Sequence, residues 1–181
     1  MAASEIVTDR SGDFSRVYFE ARRDRHEDRF NNAGVIGVAQ WRRNQFVGLR
    51  VADARAGPGV LITKPFSLLR RRMRMHVNLD ARQGPCGNGS VLVELLDEHE
   101  QPLQGHVSGF GTQSIPLSNR ISSKMRVLWQ AGPPSDPTSK ALAWVNIKPG
   151  APMLARFTLS GTARLFGFRL LGVADAEGPV D

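Results

Sequence analysis

The chain has 181 residues, a length that fits one domain with a sizeable core, and its formal net charge is +7. Residues 31–90 carry 10 Arg or Lys against 2 acidic residues, so the positive excess is local. The absence of a run of about 18 apolar residues and of a basic-then-apolar leader excludes a membrane-spanning helix and a recognisable signal peptide. Because Cys86 is the only cysteine, no internal disulfide or cysteine metal cluster can form, and we expect a cytoplasmic location.

Short apolar runs separated by Gly, Pro, Asn and Asp predict strands rather than helices. In chain order the predicted strands cover residues 16–21, 35–41, 46–51, 59–66, 73–79, 91–96, 125–130, 154–159 and 164–171. Such a series predicts an all-β fold, a two-sheet antiparallel β-sandwich of the jelly-roll or concanavalin-like kind. The predicted divisions are a charged segment at 1–33 (an appended strand or the remnant of something larger, which the resemblance described below implies is a propeller), the sandwich at 34–172 and a disordered tail at 173–181.

Two regions of the sequence alternate strictly between apolar and polar residues. The first predicts a strand with one buried and one polar face: Met73, Met75, Val77 and Leu79 alternate with Arg74, His76, Asn78 and Asp80. The second lies on both sides of the Ser160-Gly161-Thr162 link and predicts a closing hairpin, with Phe157, Phe166 and Phe168 in the core.

The sequence contains none of the motifs that mark a catalytic serine, a phosphate-binding loop or a zinc protease. The histidines are scattered, and His99 and His106 are best explained by a turn. Glu94 lies between Val93 and Leu95, and we interpret it as one partner of a structural ion pair rather than as a general acid. We therefore expect a protein that is not an enzyme, without a cofactor or a metal ion.

Several short strings resemble a known family in their order along the chain. They are QWRRNQFVGL at 40–49, LITKPF at 61–66, HVNLDA at 76–81, VLVELLD at 91–97 and PLQG at 102–105. Together they resemble the C-terminal β-sandwich of bacterial glycoside-hydrolase-like proteins built on a five-bladed β-propeller, of the invertase and levanase type. The resemblance spans residues 34–171, with departures such as Asn44 for an aspartate and Gly48 for a serine. It implies a non-catalytic accessory domain, because the catalytic carboxylates of that family belong to the propeller.

Three functional hypotheses follow, and the sequence leaves all three open. The first is carbohydrate binding, or support of a glycoside-hydrolase-like propeller, with a polar strand face and one exposed tryptophan as the site: Arg74, Asn78, Asp80, Trp129 and Trp144. A position in the core is the favoured alternative for each tryptophan. The second is a structural module that docks on a partner protein through Trp41, Arg42 and Arg43. The third is binding of a polyanion or nucleic acid by an arginine cluster formed by Arg70, Arg71, Arg72 and Arg74.

Overall fold

The computed structural model describes residues 5–22, 34–53, 55–84, 87–103, 113–131 and 140–173. Within this part the chain is all β, and the polypeptide forms two compact units, residues 1–47 and residues 48–181. None of the described residues belongs to a helix long and apolar enough to cross a membrane.

The strands are short and alternate with turns along the whole chain. Their bounds are β1 Val7–Thr8, β2 Phe14–Arg22, β3 Gly34–Arg42, β4 Leu49–Arg50, β5 Gly59–Ile62, β6 Arg72–Asp80, β7 Gln83–Gly84, β8 Gly87–Asn88, β9 Ser90–Leu96, β10 Leu117–Ser118, β11 Ile121–Arg126, β12 Trp129–Ala131, β13 Lys140–Leu142, β14 Val145–Asn146, β15 Leu154–Ser160 and β16 Arg164–Val173.

The first unit is a three-stranded antiparallel sheet in the order β1-β2-β3. Its strands β2 and β3 pair along their full length, from Phe14 opposite Arg42 to Arg22 opposite Gly34. The sequence predicts the start of the sandwich at residue 34, whereas this pairing places residues 34–47 in the first unit. The physical reason is that β3 completes its backbone hydrogen bonds with β2. Val173, predicted as the first residue of the disordered tail at 173–181, is instead the buried last residue of β16. Residues 174–181 and the charged stretch at 23–33 lie outside the described residues.

The second unit contains a four-stranded sheet, β10-β9-β15-β5, and a five-stranded sheet in which β11 and β14 pair with β6, β6 with β16, and β16 with β4. Alternate residues of β6 are fully buried, as the sequence predicts. They share one hydrophobic core with alternate residues of β9 and β15, which belong to the other sheet. The arrangement is therefore sandwich-like, with the outer face of β6 left for polar side chains.

The predicted closing hairpin is wrong. Strand β15 pairs with β5 and β9, whereas β16 pairs with β4 and β6, so the Ser160-Gly161-Thr162 link passes from one sheet to the other. A hydrogen bond from the Ala163 amide to the Ser160 carbonyl, 3.2 Å long, closes this link.

The predicted set of core phenylalanines also needs a correction. Phe157 is fully buried, but Phe168 is 38% exposed and touches the Phe157 ring from the opposite sheet, with 5.1 Å between the ring centroids. The strand β16 contains a register shift between Leu165 and Gly167, which places Phe166 in a β-bulge. Leu165 is therefore the buried residue at this end of the strand.

Three further predicted strands are shorter or divided. Of residues 46–51, only Leu49–Arg50 pair, and Phe46 and Val47 are exposed. The strand predicted at 59–66 ends at Ile62, and Phe66 pairs again with Met153 as an isolated bridge beyond Pro65. The strand predicted at 125–130 is divided between β11 and β12, with a register shift inside β11.

Candidate functional site

The polar face of β6 lies between two strands that bring further basic side chains to it. His76 is directly opposite Arg126 of β11 and directly opposite Arg169 of β16, so three residues from distant parts of the sequence form one row across the sheet. Residues directly opposite each other in antiparallel strands have their Cβ atoms about 4.5–5.5 Å apart. The row therefore concentrates positive charge around one imidazole.

Burial lowers the pKa of His76 below its ordinary value, and the positive charges of Arg126, Arg169, Arg74 and Lys124 lower it further. The charged groups that act on this imidazole are thus cations from three strands: β6, β11 and β16. Arg126, Lys124 and Arg169 are exposed, whereas Arg74 and His76 are half-buried. We call this set the basic face; it comprises Arg74, His76, Lys124, Arg126 and Arg169.

Asp80 lies at the end of the same face of β6 but is already engaged. Its carboxylate accepts hydrogen bonds from Nε and Nη2 of Arg82, at 2.9 Å and 2.8 Å. These bonds, together with the charge of Arg164, hold the pKa of Asp80 below its ordinary value. Asp80 therefore stays ionised with a bidentate partner, and it does not neutralise the cations around His76.

The carbohydrate-binding residues predicted on this face have different environments. Arg74 belongs to the basic face, and Asp80 keeps an 18% exposed side chain. Asn78 is buried, with only 8% of its surface exposed. The polar side of the strand is thus open near Arg74 and His76 and closed at Asn78.

Neither tryptophan of the predicted sugar site offers a free ring. Trp129 is 1% exposed and belongs to the core, so it is not available to stack on a ligand. Trp144 is half-buried, and the Arg72 guanidinium carbon lies 4.6 Å from the ring centroid in a cation–π contact. The prediction that Trp129 lines an open groove is wrong, because this side chain fills space between the sheets.

The four predicted arginines have different neighbours. Arg72 contacts Trp144, and the stem of Arg70 lies against Gly172. Arg71 is exposed before the start of β6, and its carbonyl accepts a hydrogen bond from the Ile147 amide. Arg72 lies two residues before Arg74 and on the same side of β6, but of the four only Arg74 acts on the charge of His76 and belongs to the basic face. The strands β11 and β16 add Lys124, Arg126 and Arg169, which sequence reasoning missed.

In the first unit, the predicted docking residues lie at the end of β3. The Trp41 ring packs on Phe46, with 4.7 Å between centroids, and the Arg42 guanidinium lies 5.4 Å from the centroid of Phe14. Arg43 is exposed, and its amide donates to the Asp13 carbonyl. Trp41 and Arg42 thus each contact an aromatic neighbour within their own unit.

Glu94 is in an ion pair, as the sequence predicts. Its Oε2 accepts a hydrogen bond of 2.7 Å from Nε of Arg156, the residue directly opposite on β15, and this contact raises the pKa of Arg156. The part of the chain that the structure describes contains no group of three or more His, Cys, Asp or Glu side chains arranged to hold a metal ion. Cys86 and His106 lie outside that part.

Comparison with known proteins finds no match for this chain among protein-family models, curated proteins or solved structures. The resemblance to the sandwich of propeller-based glycoside hydrolases therefore stays a prediction.

Proposed function

We propose that the second unit is a non-catalytic binding module, and that its ligand is an acidic polysaccharide held along the basic face. The observation that carries this proposal is the row formed by Arg126, His76 and Arg169, in which an arginine from each neighbouring strand flanks the imidazole on β6. A polymer with a carboxylate or sulfate on successive sugars presents the complementary charges.

The spread of the basic face over three strands supports a polymer rather than a single small anion. Along β6, Arg74 and His76 are two positions apart, which corresponds to about 7 Å of extended strand. Across the strands, the row from Arg126 to Arg169 covers two inter-strand spacings, or about 10 Å. A ligand lying on this surface contacts cations at several points, and each point displaces counterions.

An acidic polysaccharide fits this surface better than single-stranded nucleic acid. Proteins that bind single strands combine basic side chains with aromatic rings on which bases stack. In the second unit, Trp129 is buried and Trp144 is covered on one side by Arg72. Among the described residues, neither of these tryptophans belongs to the basic face, which favours a ligand recognised by its charge spacing.

The absence of catalysis in this proposal has structural support. Two carboxylates that the sequence offers for acid–base chemistry, Glu94 and Asp80, are each paired with an arginine. The hydrogen bond from Arg82 holds the pKa of Asp80 below its ordinary value, which opposes the use of this carboxylate as a proton donor near neutral pH.

Ligand selectivity tests the proposed function. We expect polygalacturonate to bind the purified chain at low salt, with an affinity that falls as salt is added, whereas the neutral fructan inulin does not bind. Isothermal titration calorimetry at two salt concentrations measures both. Binding of inulin as tight as that of polygalacturonate contradicts recognition by charge, and binding of a single-stranded oligonucleotide in preference to both assigns the face to nucleic acid.

A second candidate function, docking on a partner protein, is favoured by the first unit. Ile36, Val38 and Tyr18 are 83%, 54% and 43% exposed, and Tyr18 and Val38 are direct cross-strand partners. Ile36 lies two residues before Val38, so all three share one side of the β2–β3 pair. A contiguous exposed apolar face of this kind is typical of interaction surfaces. The resemblance implies a propeller as the partner.

A further inference from the structure

The end of the five-stranded sheet holds a cleft that the proposed function does not use. Its volume is about 430 Å³, within the range of about 300–1,000 Å³ of small-molecule sites. Its lining combines three arginines, one carboxylate, one amide and a glycine-containing turn: Arg50, Arg82, Arg164, Asp80, Gln83 and Gly161.

Two of these arginines face each other without a carboxylate between them. Arg50 of β4 and Arg164 of β16 are direct cross-strand partners, and like charges directly opposite each other destabilise a sheet. Both side chains are exposed, and within the described residues neither is within 4 Å of an acidic group. An anion placed between the two guanidinium groups offsets this repulsion.

The remaining carboxylate cannot take that role, because Arg82 holds it. Both oxygens of Asp80 accept hydrogen bonds from Arg82, although Asp80 is also the cross-strand partner of Arg164. Three arginines and one aspartate leave the cleft with a formal excess of two positive charges. The cleft therefore attracts a small anion rather than a cation or a neutral ligand.

Other lining groups suit a ligand that carries hydroxyls. Gln83 is exposed and offers both an amide donor and an amide acceptor. The Thr162 hydroxyl donates to the Arg82 carbonyl at 2.9 Å, which fixes the turn at 160–163 against the segment after β6. Gly161 has a φ of 59°, and a side chain there meets the Asn88 backbone, so this wall stays as bare backbone.

We infer that this cleft is a binding site for one anionic sugar, a uronate or a sugar phosphate of monosaccharide size. Arg50 and Arg164 hold the anionic group through charge-assisted hydrogen bonds, and Gln83 binds sugar hydroxyls. The inference goes beyond the proposed function, because it concerns a second site with its own residues.

The test is titration of the full chain with galacturonate and with galactose 1-phosphate, followed by NMR shifts of the Gly84, Gly161 and Thr162 amides. Neutral galactose and inorganic phosphate serve as reference ligands. We expect at least one anionic sugar to bind more tightly than both references, and the double variant Arg50→Gln/Arg164→Gln to weaken that binding at least tenfold. An unchanged affinity in this variant, or inorganic phosphate binding as tightly as the better of the two sugars, overturns the inference.

Two further measurements keep the test decisive. The double variant relieves a like-charge pair, so its urea midpoint should equal or exceed that of the wild type. If it does not fold, the single variant Gln83→Ala, at an exposed position, tests the same cleft through weaker sugar binding.

Polygalacturonate binding is measured in parallel, and the double variant Arg50→Gln/Arg164→Gln should change the affinity for the polymer less than threefold. If the wild type binds the monosaccharide but does not bind the polymer, the proposed function is overturned and the inference about the cleft stands.

Discussion

Replacing Arg126 and Arg169 together with glutamine should weaken polygalacturonate binding roughly tenfold at low salt. Exposed charge contacts contribute up to about 1 kcal/mol each, and 1.4 kcal/mol corresponds to a factor of ten. The two side chains flank His76 from different strands, so the double variant removes both ends of the row and leaves its centre. The slope of log affinity against log salt should fall by about one for each lost contact.

The matched control for this experiment is Arg10→Gln/Lys64→Gln. It removes the same two charges from exposed positions outside the five-stranded sheet, one between β1 and β2 and one after β5. Calorimetry with both variants separates a local contact from the effect of net charge. An equal loss of affinity in the control shows that net charge alone attracts the polymer, and the basic face is then not a site.

Replacing Phe157 with alanine should lower the free energy of unfolding by about 3–5 kcal/mol, the usual range for a large aromatic residue in a core. Phe157 is fully buried in β15, between β5 and β9, and its ring meets Phe168 of the other sheet. Its removal leaves a cavity at the contact between the two sheets. The urea midpoint, followed by tryptophan fluorescence, measures the loss.

Two further substitutions serve as references for the effect of Phe157→Ala on the free energy of unfolding. Leu69 is 88% exposed, and Leu69→Ala should change the unfolding free energy by no more than about 0.5 kcal/mol. Phe168→Ala should have an intermediate cost, because this ring is 38% exposed. A cost at Phe168 equal to that at Phe157 contradicts the register of β16 described above.

Local alternation explains which parts of the fold could be predicted. In β6, the apolar and polar residues alternate without interruption, and the buried set is the predicted one. In β16, a bulge at 165–167 shifts the pattern, and Gly167, a glycine inside a strand, is its one signal in the sequence. The sequence predicts a hairpin at 160–162 because tight turns usually join paired strands, but the two strands pair with partners in different sheets.

The residues of the candidate site are harder to predict from the sequence than the strands are. The run from Arg70 to Arg74 attracts notice as a cluster in the sequence, yet Arg70 and Arg71 precede β6, and Arg72 contacts Trp144. Arg126 and Arg169 are far from His76 in sequence, and only the pairing of β11 and β16 with β6 brings them to it. Likewise, Trp129 has the residue type of a sugar platform, but its burial depends on the packing of both sheets.

The most direct test of the basic face is the titration of the His76 imidazole, followed by NMR with and without saturating polygalacturonate. In the free protein, burial and then the surrounding cations hold the pKa of His76 below its ordinary value, which favours the neutral imidazole. A polyanion on this face offsets those positive charges and stabilises the imidazolium, so the pKa should rise on binding and the affinity should increase as the pH falls. A His76 pKa that stays unchanged while the polymer is bound contradicts the account.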